Sequence, residues 1–438
     1  MGDTRPPRER INWPERLRGA PASSASAGRP WVVSSPARAR RLRRLGLPLA
    51  VVLVVAGTIN YLRPIPDVAA TTSTPVQSAI PGTPPSLPWP SVGSAAVGAS
   101  GPGLIATSGD ASPAPAASVA KVMTAMVVLA DKPLVRGASG PTLVITDQDV
   151  ATYQADLADQ QSVVPVVVGE QLTEFQALEA LLIPSGNNIA ETLARWDAGS
   201  VTAFVAKMNE RASALHMTRT VFADPAGVSI QTVSTPADLL AMGMAAMQQE
   251  VLAQIVNLPQ TTLPVAGTLY NVNSVLGQSG IVGIKTGSGL NFGANFLFAA
   301  TATVDDAVVT LYGCVMGQPT LDAAFHEAEV LIAVMKDAIS VHLVIKRNDV
   351  VGIYETAWGS RSELVATDNV TLVEWPGMIL RQRLDAPTLV IDRPVAGRTR
   401  AGTLHLVLGD QQADVTLITS GSLDPPGFGW RLLRISFF

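Results

Sequence analysis

Residues 281–316, IVGIKTGSGLNFGANFLFAATATVDDAVVTLYGCVM, carry the reading of the fold. IVGIKTG is a short strand candidate. Two alternating apolar runs follow, GANFLFAATATV and AVVTLYGCVM, separated by Asp305-Asp306, which is the pattern of an antiparallel hairpin around a tight turn. Lys285-Thr286-Gly287 therefore falls at the end of a strand, beside a hairpin that extends the same sheet. A cation and a hydroxyl at that place suit the grip of a carboxylate. Residues 319–338 then return to helical spacing.

Upstream, ASVAKVMTAMVVLAD (117–131) is apolar on nearly every side, as a helix in a domain interior is. Ser118 and Lys121, three apart, share one face of it, each side chain within reach of the other. Ser118 falls in the first turn, where the helix dipole favours negative charge on its oxygen. Lys121 points from an apolar helix into a cleft. Burial and a second cation such as Lys285 would both lower its pKa and free the amine to act as a base. Residues 172–196 show helical periodicity broken by Pro184-Ser185-Gly186, which places Ser185-Gly186-Asn187 on a turn between two helices.

Each motif has a plain reading when taken alone. A Ser-x-x-Lys spacing arises by chance, Ser-Gly-Asn caps helices, and Lys-Thr-Gly can be an ordinary hairpin exit. In this order, on a helix, an inter-helix turn and a strand end, they form a complete set for acyl transfer without histidine. None of the four histidines (His216, His326, His342 and His405) sits beside them. The set needs no metal and no cofactor. Cys314 is alone, so no intrachain disulfide is expected, and its apolar surroundings TLYGCVMG suit a core residue.

The net charge of -4 hides an asymmetry. Residues 1–44 hold eleven arginines against Asp3, Glu9 and Glu15. This tail lacks lysine and interleaved aromatics, and its prolines and serines read as a disordered cytoplasmic segment with no nucleic-acid partner. Residues 45–62 carry no formal charge and are expected to cross a membrane as a helix, with the arginines keeping the N-terminus cytoplasmic. A cleaved signal peptide is the nearer rival, since Ala69-Ala70 follow the apolar run, but its basic region would be unusually long.

Residues 63–90 are rich in proline and read as an extended tether. At roughly 3 Å per residue it would hold a catalytic domain (91–340) tens of ångströms from the membrane. Within that domain AAVGASGPGLIATSG reads as a strand or hairpin, and residues 200–217 as an amphipathic helix. Residues 341–438 read as a separate small β-sandwich. Its strand candidates are VHLVIKR, VGIYETAW, ELVATDNVTLVEW, TLVIDRPV, GTLHLVLG, QADVTLITS and GWRLLRISFF, so the chain is expected to end on an apolar strand rather than an amphipathic helix.

Residues of about 90–338 resemble the serine-type D-alanyl-D-alanine carboxypeptidases, the low-molecular-mass penicillin-binding proteins (peptidase S11). The likeness extends beyond the motifs to GEQLTEFQALEALLIPSGNNIAETLAR, to MNERASALHMTRTVFADPAGV with its Asp224-x-x-Gly227 turn, and to VSTPADLLAMG. The resemblance implies an α/β (α+β) fold, an antiparallel sheet with a helical subdomain, followed by a β-rich domain. It implies that Ser118, deprotonated by Lys121, attacks the penultimate D-alanine of a peptidoglycan stem peptide, and that β-lactams acylate the same serine. Ser185 would relay a proton to the leaving amine, and Asn187 would orient Lys121. Lys285 and Thr286 would hold the terminal carboxylate, Gly287 would let the strand approach the substrate closely, and the N–H groups of Ser118 and Ser288 would form the oxyanion hole. Where the family usually has Thr two places after Lys-Thr-Gly, this chain has Ser288-Gly289, which shifts the carboxylate grip toward Thr286 and Ser288. The run from Gly287 to the next strand is also about one residue longer.

Two rivals remain at this level. A class A β-lactamase needs a Glu to activate the deacylating water, and no Glu-x-x-Leu-Asn pattern lies between Asn187 and Lys285, while Glu191 and Glu210 suit solvated helix faces. A non-catalytic peptidoglycan-binding or scaffold protein could keep the fold without the chemistry.

Overall fold

The structure, a computed structural model, describes residues 36–108, 112–289 and 292–434. Residues Ile65–Pro426 form one compact unit, and a second is made by the N-terminal helix with the C-terminal segment.

A five-stranded antiparallel sheet organises the catalytic part, in the order Ile281–Gly289, Gly293–Val304, Ala307–Gln318, Ser94–Ala99, Gly103–Thr107. The expected hairpin is present. Its turn residues Asp305 and Asp306 both have positive φ (47° and 65°), the conformation that matches the twist of paired strands. One sheet face carries Phe296, Phe298, Val315 and Ala300 against the Leu321–Ala338 helix. The other carries Leu297, Ala299, Tyr312 and Cys314 into the helical core, which includes Met123, Met126, Leu178, Phe204 and Leu239. Both faces are covered, which explains the near-continuous apolar reading of these strands.

The ladder shifts register between Ile281 and Gly283 and is regular from there through the third motif. Gly287 faces Asn295, Ser288 faces Ala294 and Gly289 faces Gly293. The pairing keeps its register up to Gly289 and Gly293; residues 290 and 291 lie outside the described set.

The proline-rich segment departs from expectation. It is not a free tether. Ala70–Thr72 pairs with Val350–Glu355, and Gln77–Ala79 pairs with Ile379–Asp385, so the segment supplies both outer strands of the C-terminal sheet. That sheet has seven strands, ordered 70–72, 350–355, 361–366, 411–419, 400–408, 379–385, 77–79. Val68 pairs with Leu389 and is buried, as is Ile80. Leu87 and Trp89 then pack on the catalytic sheet's outer core. Only residues 63–67 separate the N-terminal helix from the first of these pairings. Proline lacks an N–H and is confined to strand edges and turns, which is how this segment uses it.

The remaining β region is mostly as read, with three corrections. TLVIDRPV forms no strand, only the bridges of Leu389 to Val68 and Val395 to Leu423. Ile379–Asp385 (ILRQRLD) is a strand that its charges concealed. The architecture is one large sheet with a two-stranded companion, Ser340–Ile345 and Val370–Glu374, rather than two comparable layers.

In the other unit, the N-terminal helix runs Pro36–Leu62. It begins within the arginine-rich segment expected to be disordered, in keeping with the good helix propensity of Ala, Arg and Leu. Residues 1–35 of that tail lie outside the described residues. Among the described residues no single helix is long and apolar enough to cross a membrane; Gly46–Leu62 is a shorter apolar helix. The expected terminal strand is a helix at Phe428–Leu433, and residues 435–438 lie outside the described set. The Phe428 and Tyr61 rings lie 5.5 Å apart, and Arg434 donates to the carbonyls of Asn60, Arg63 and Pro64. These carbonyls end the Pro36–Leu62 helix, where backbone acceptors lack helical partners and a cation is favoured.

Candidate active site

Ser118 lies on a 3-10 turn, Ala117–Ala120, that runs directly into the Lys121–Asp131 helix. Ala117 is held at φ +50°, a left-handed conformation uncommon for a residue with a Cβ. Its neighbours leave little room to relax. A Cβ on Gly227 would lie 1.8 Å from the Ala117 carbonyl oxygen, and one on Gly287 would lie 3.0 Å from the Ser118 nitrogen. Gly287 thus brings the Lys-Thr-Gly strand against the backbone of Ser118, a contact not read from the sequence. Asn295 adds a brace that sequence reading missed. Its Nδ2 donates to the Pro115 carbonyl, and its Oδ1 accepts from the Gly317 N–H, both at 2.9 Å.

Lys121 is fully buried, and its Nζ meets three acceptors: Ser118 Oγ at 2.7 Å, Asn187 Oδ1 at 2.6 Å and the Ala226 carbonyl at 3.0 Å. An ammonium has three donors, so this form is satisfied in full. Loss of one proton leaves a lone pair for the Ser118 hydroxyl, while two N–H groups keep Asn187 and Ala226. Burial holds the Lys121 pKa well below the usual lysine range, and the Lys285 cation lowers it further, against smaller opposite effects of Asp224 and Asp156.

Asn187 opens the Asn187–Ala198 helix, with Gly186 as its cap residue. Its amide is fixed at both ends, because Nδ2 donates to Gln161 Oε1 at 2.7 Å while Oδ1 faces Lys121. Ser185, buried and at φ +67°, sits on the turn before it, and its hydroxyl has no hydrogen-bond partner among the described residues. That hydroxyl is available to a ligand.

Asp224 builds the turn that presents the Ala226 carbonyl. Its carboxylate accepts from the backbone N–H groups of Ala226, Gly227, Val228 and Ser229, and from the Thr232 hydroxyl. Thr124, one helical turn beyond Lys121, donates to the Pro225 carbonyl at 2.6 Å and pins the same turn to the nucleophile helix. Asp-x-x-Gly was legible in the sequence; that its product is a carbonyl acceptor for Lys121 was not, because a main-chain oxygen has no residue signature.

Lys285 and Thr286 are buried on the Ile281–Gly289 strand, whereas Ser288 is exposed. Lys285 Nζ donates to the Thr286 carbonyl at 3.0 Å, and burial pushes its pKa down to about 7. The strand is at the sheet edge, so one side of its backbone is left for a ligand. The structure thus gathers Ser118, Lys121, Asn187 and Gly287 directly, with Ser185, Lys285 and Thr286 on the adjoining turn and strand. Cys314 is buried, with its thiol pKa pushed up by burial, as a core residue. No cluster of three or more His, Cys, Asp or Glu arranged to hold a metal occurs among the described residues.

The sequence pattern of the D-alanyl-D-alanine carboxypeptidase family (peptidase S11) matches residues 98–320, half of the chain, and the chain belongs to that family. A D-alanyl-D-alanine endopeptidase of Pseudomonas aeruginosa is 34% identical over 151 residues, 34% of this chain and 45% of that protein. A D-alanyl-D-alanine carboxypeptidase of Streptomyces sp. (strain K15) is 31% identical over 201 residues, 42% of this chain and 67% of the relative. The matches therefore span about half to two thirds of these relatives. Among solved structures, the Streptomyces K15 DD-transpeptidase superposes with a TM-score of 0.51 at 26% identity, covering 58% of this chain and 98% of that one. Penicillin binding protein 5 from Haemophilus influenzae has a TM-score of 0.56 at 19% identity, covering 78% of this chain and 100% of that one, a likeness of fold.

Proposed function

We propose that this chain is a serine hydrolase that removes the terminal D-alanine from peptidoglycan stem pentapeptides through an acyl-enzyme on Ser118. The observation that carries the reading is the buried Lys121 amine, 2.7 Å from Ser118 Oγ, with its remaining protons directed at Asn187 and Ala226. Lys121 takes the Ser118 proton as the hydroxyl oxygen attacks the penultimate D-alanine carbonyl. The oxyanion is received by the N–H groups of Ser118 and Ser288, and Ser185 passes a proton to the departing amine. Lys285, with Thr286 and Ser288, binds the terminal carboxylate, whose charge restores the lysine to its cationic form. Water then releases the shortened peptide.

A β-lactam enters the same path but stays attached. No carboxylate hydrogen-bonds Ser118, Lys121, Ser185 or Asn187 among the described residues, and Glu191 is engaged by Arg195 at 2.9 Å. A base for rapid deacylation is thus not supplied, which favours a long-lived adduct over β-lactamase turnover. Anchoring by the apolar helix, with the catalytic part outside the membrane, belongs to the same proposal. It rests on residues 45–62, the arginines before them, and the exposure of Leu47, Val52 and Leu62. Retention of the full chain in carbonate-washed membranes, and its release in a variant lacking residues 1–62, would test it.

The central test is mass spectrometry of a stem pentapeptide incubated with the full chain in detergent. Loss of one D-alanine by wild type and not by Lys121→Ala is expected. Wild type that neither releases D-alanine nor is labelled at Ser118 by fluorescent penicillin would instead select the non-catalytic wall-binding reading.

A further inference from the structure

The hydrogen bonds around the cleft leave Asn273 unaccounted for. This residue lies between the Gly267–Tyr270 strand and the 3-10 turn Gln278–Gly280, and it is 5% exposed. Both ends of its carboxamide, Oδ1 and Nδ2, are buried without a hydrogen-bond partner among the described residues. Buried amides are ordinarily paired, so an orphaned one marks a place where a partner arrives.

The neighbours of Asn273 fix where it stands. Val272 N–H donates to the carbonyl of Ile183, two residues before Ser185. Asn271 Nδ2 donates to the Leu258 carbonyl and reaches that of Val256, while its Oδ1 accepts from the Asn273 N–H at 2.9 Å. Val256 in turn packs on Gly283, where a Cβ would meet its side chain at 2.7 Å, two residues before Lys285. Residues 271–273 therefore reach from the turn that carries Ser185 to the strand that carries Lys285. Those two side chains are also buried with hydrogen-bonding capacity unused. The Ser185 hydroxyl has no partner among the described residues, and Lys285 Nζ, with three donors when charged, meets the Thr286 carbonyl alone.

We propose that Asn273 is a positioning residue for carboxylate binding, its Oδ1 accepting from the Lys285 ammonium when an anionic ligand enters and its Nδ2 left for the Ser185 hydroxyl. The ammonium then has the Thr286 carbonyl, Asn273 and the ligand as acceptors. Without a ligand, burial disfavours charge on Lys285, which leaves the amide unspent. Lys121 faces Lys285 from the nucleophile helix, and Asp224 and Asp156 act on Lys121 in turn. Of the other elements packed on this strand, Gly293–Val304 has no titratable side chain and Glu250–Val256 has Glu250 at its exposed start. The Leu321–Ala338 helix meets Ser279 through Glu329 and Lys336. This rests on the proposed reading of Lys285 as the partner of the terminal carboxylate, and adds what keeps that lysine charged.

The test is calorimetry of N-acetyl-D-alanyl-D-alanine binding at pH values on either side of about 7, on the full chain in detergent with Ser118→Ala to prevent turnover. Affinity should fall as Lys285 loses its proton. Asn273→Leu removes the acceptor, so binding should weaken roughly tenfold and the fall should move to lower pH. Asn273→Asp adds a negative charge beside the amine, so the fall should move to higher pH. A merely structural asparagine would not displace the profile in opposite directions. An unchanged profile in both variants, displacement in the same direction by both, or no pH-dependent binding would overturn the role of Asn273. Asn273-dependent binding by a chain that, with Ser118 intact, neither releases D-alanine nor reacts with penicillin would break the hydrolase reading alone. D-Alanine release with unchanged profiles would break the role of Asn273 alone.

Discussion

The nucleophile cleft and the C-terminal sheet differ in how most of their buried polar atoms are paired. In the cleft Lys121 has three acceptors, Asp224 has five donors and the Asn187 amide is held at both ends. In the sheet His405 Nε2 and Gln382 Oε1, on opposite faces, have none. The pairing of Lys121 and Asn187 holds them in one arrangement before a ligand arrives, as the proposed chemistry requires.

Changes to the two regions should therefore have different signatures, and the largest is at Lys121. Lys121→Ala removes the base, and D-alanine release should fall about 10³- to 10⁴-fold with the chain still folded. A residual rate near wild type would move the base elsewhere. Next in size is the proline-rich segment. A chain beginning at residue 88 loses two outer strands and the buried Val68 and Ile80, about 4 kcal/mol of burial, and should melt well below a chain beginning at residue 65. Equal melting temperatures would show that the segment merely lies on the sheet.

Asp224→Ala leaves several N–H groups without their acceptor and should cost about 3 kcal/mol of stability by denaturant titration, with kcat lowered because the Ala226 carbonyl drifts from Lys121. Gln161→Ala frees the Asn187 amide to rotate. It should lower kcat about tenfold, consistent with one lost hydrogen bond, with little change in melting temperature.

The smallest effect is a displacement of the pH profile. In the proposed mechanism Lys121 acts as the free base, so kcat/KM should rise with pH through its depressed pKa. Lys285 acts as the cation, so kcat/KM should fall as pH passes about 7 in the free enzyme. Lys285→Met removes a charge that lowers the Lys121 pKa, and the acidic limb should move to higher pH while KM rises. An acidic limb that stays in place would mean burial alone sets the Lys121 pKa.

Much of the cleft was legible because its chemistry restricts residue type and spacing together. Ser118 and Lys121 must share a helix face, and a glycine must stand where the strand approaches the substrate closely. Asn295 and Gln161 were not legible, because a single amide bracing another segment leaves no local pattern. The sheet hairpin was legible from its alternation and Asp305-Asp306. The Ile379–Asp385 strand was not, because Arg381 and Arg383 face outward and masked the period. GWRLLRISFF misled in the other direction, since a short apolar run does not distinguish a strand from a helix that packs on Tyr61.

The three motifs, the antiparallel sheet that carries the third, and the arginine-flanked apolar segment were readable from the chain alone, because each depends on side chains close in the chain or regular in period. Long-range packing decided that residues 70–72 and 77–79 are strands, that Ala226 offers a carbonyl to Lys121, and that Arg383, His405 and Asp414 stand side by side across three strands. Those pairings join residues that lie far apart in the chain through backbone groups and sheet register, and no local residue pattern records them.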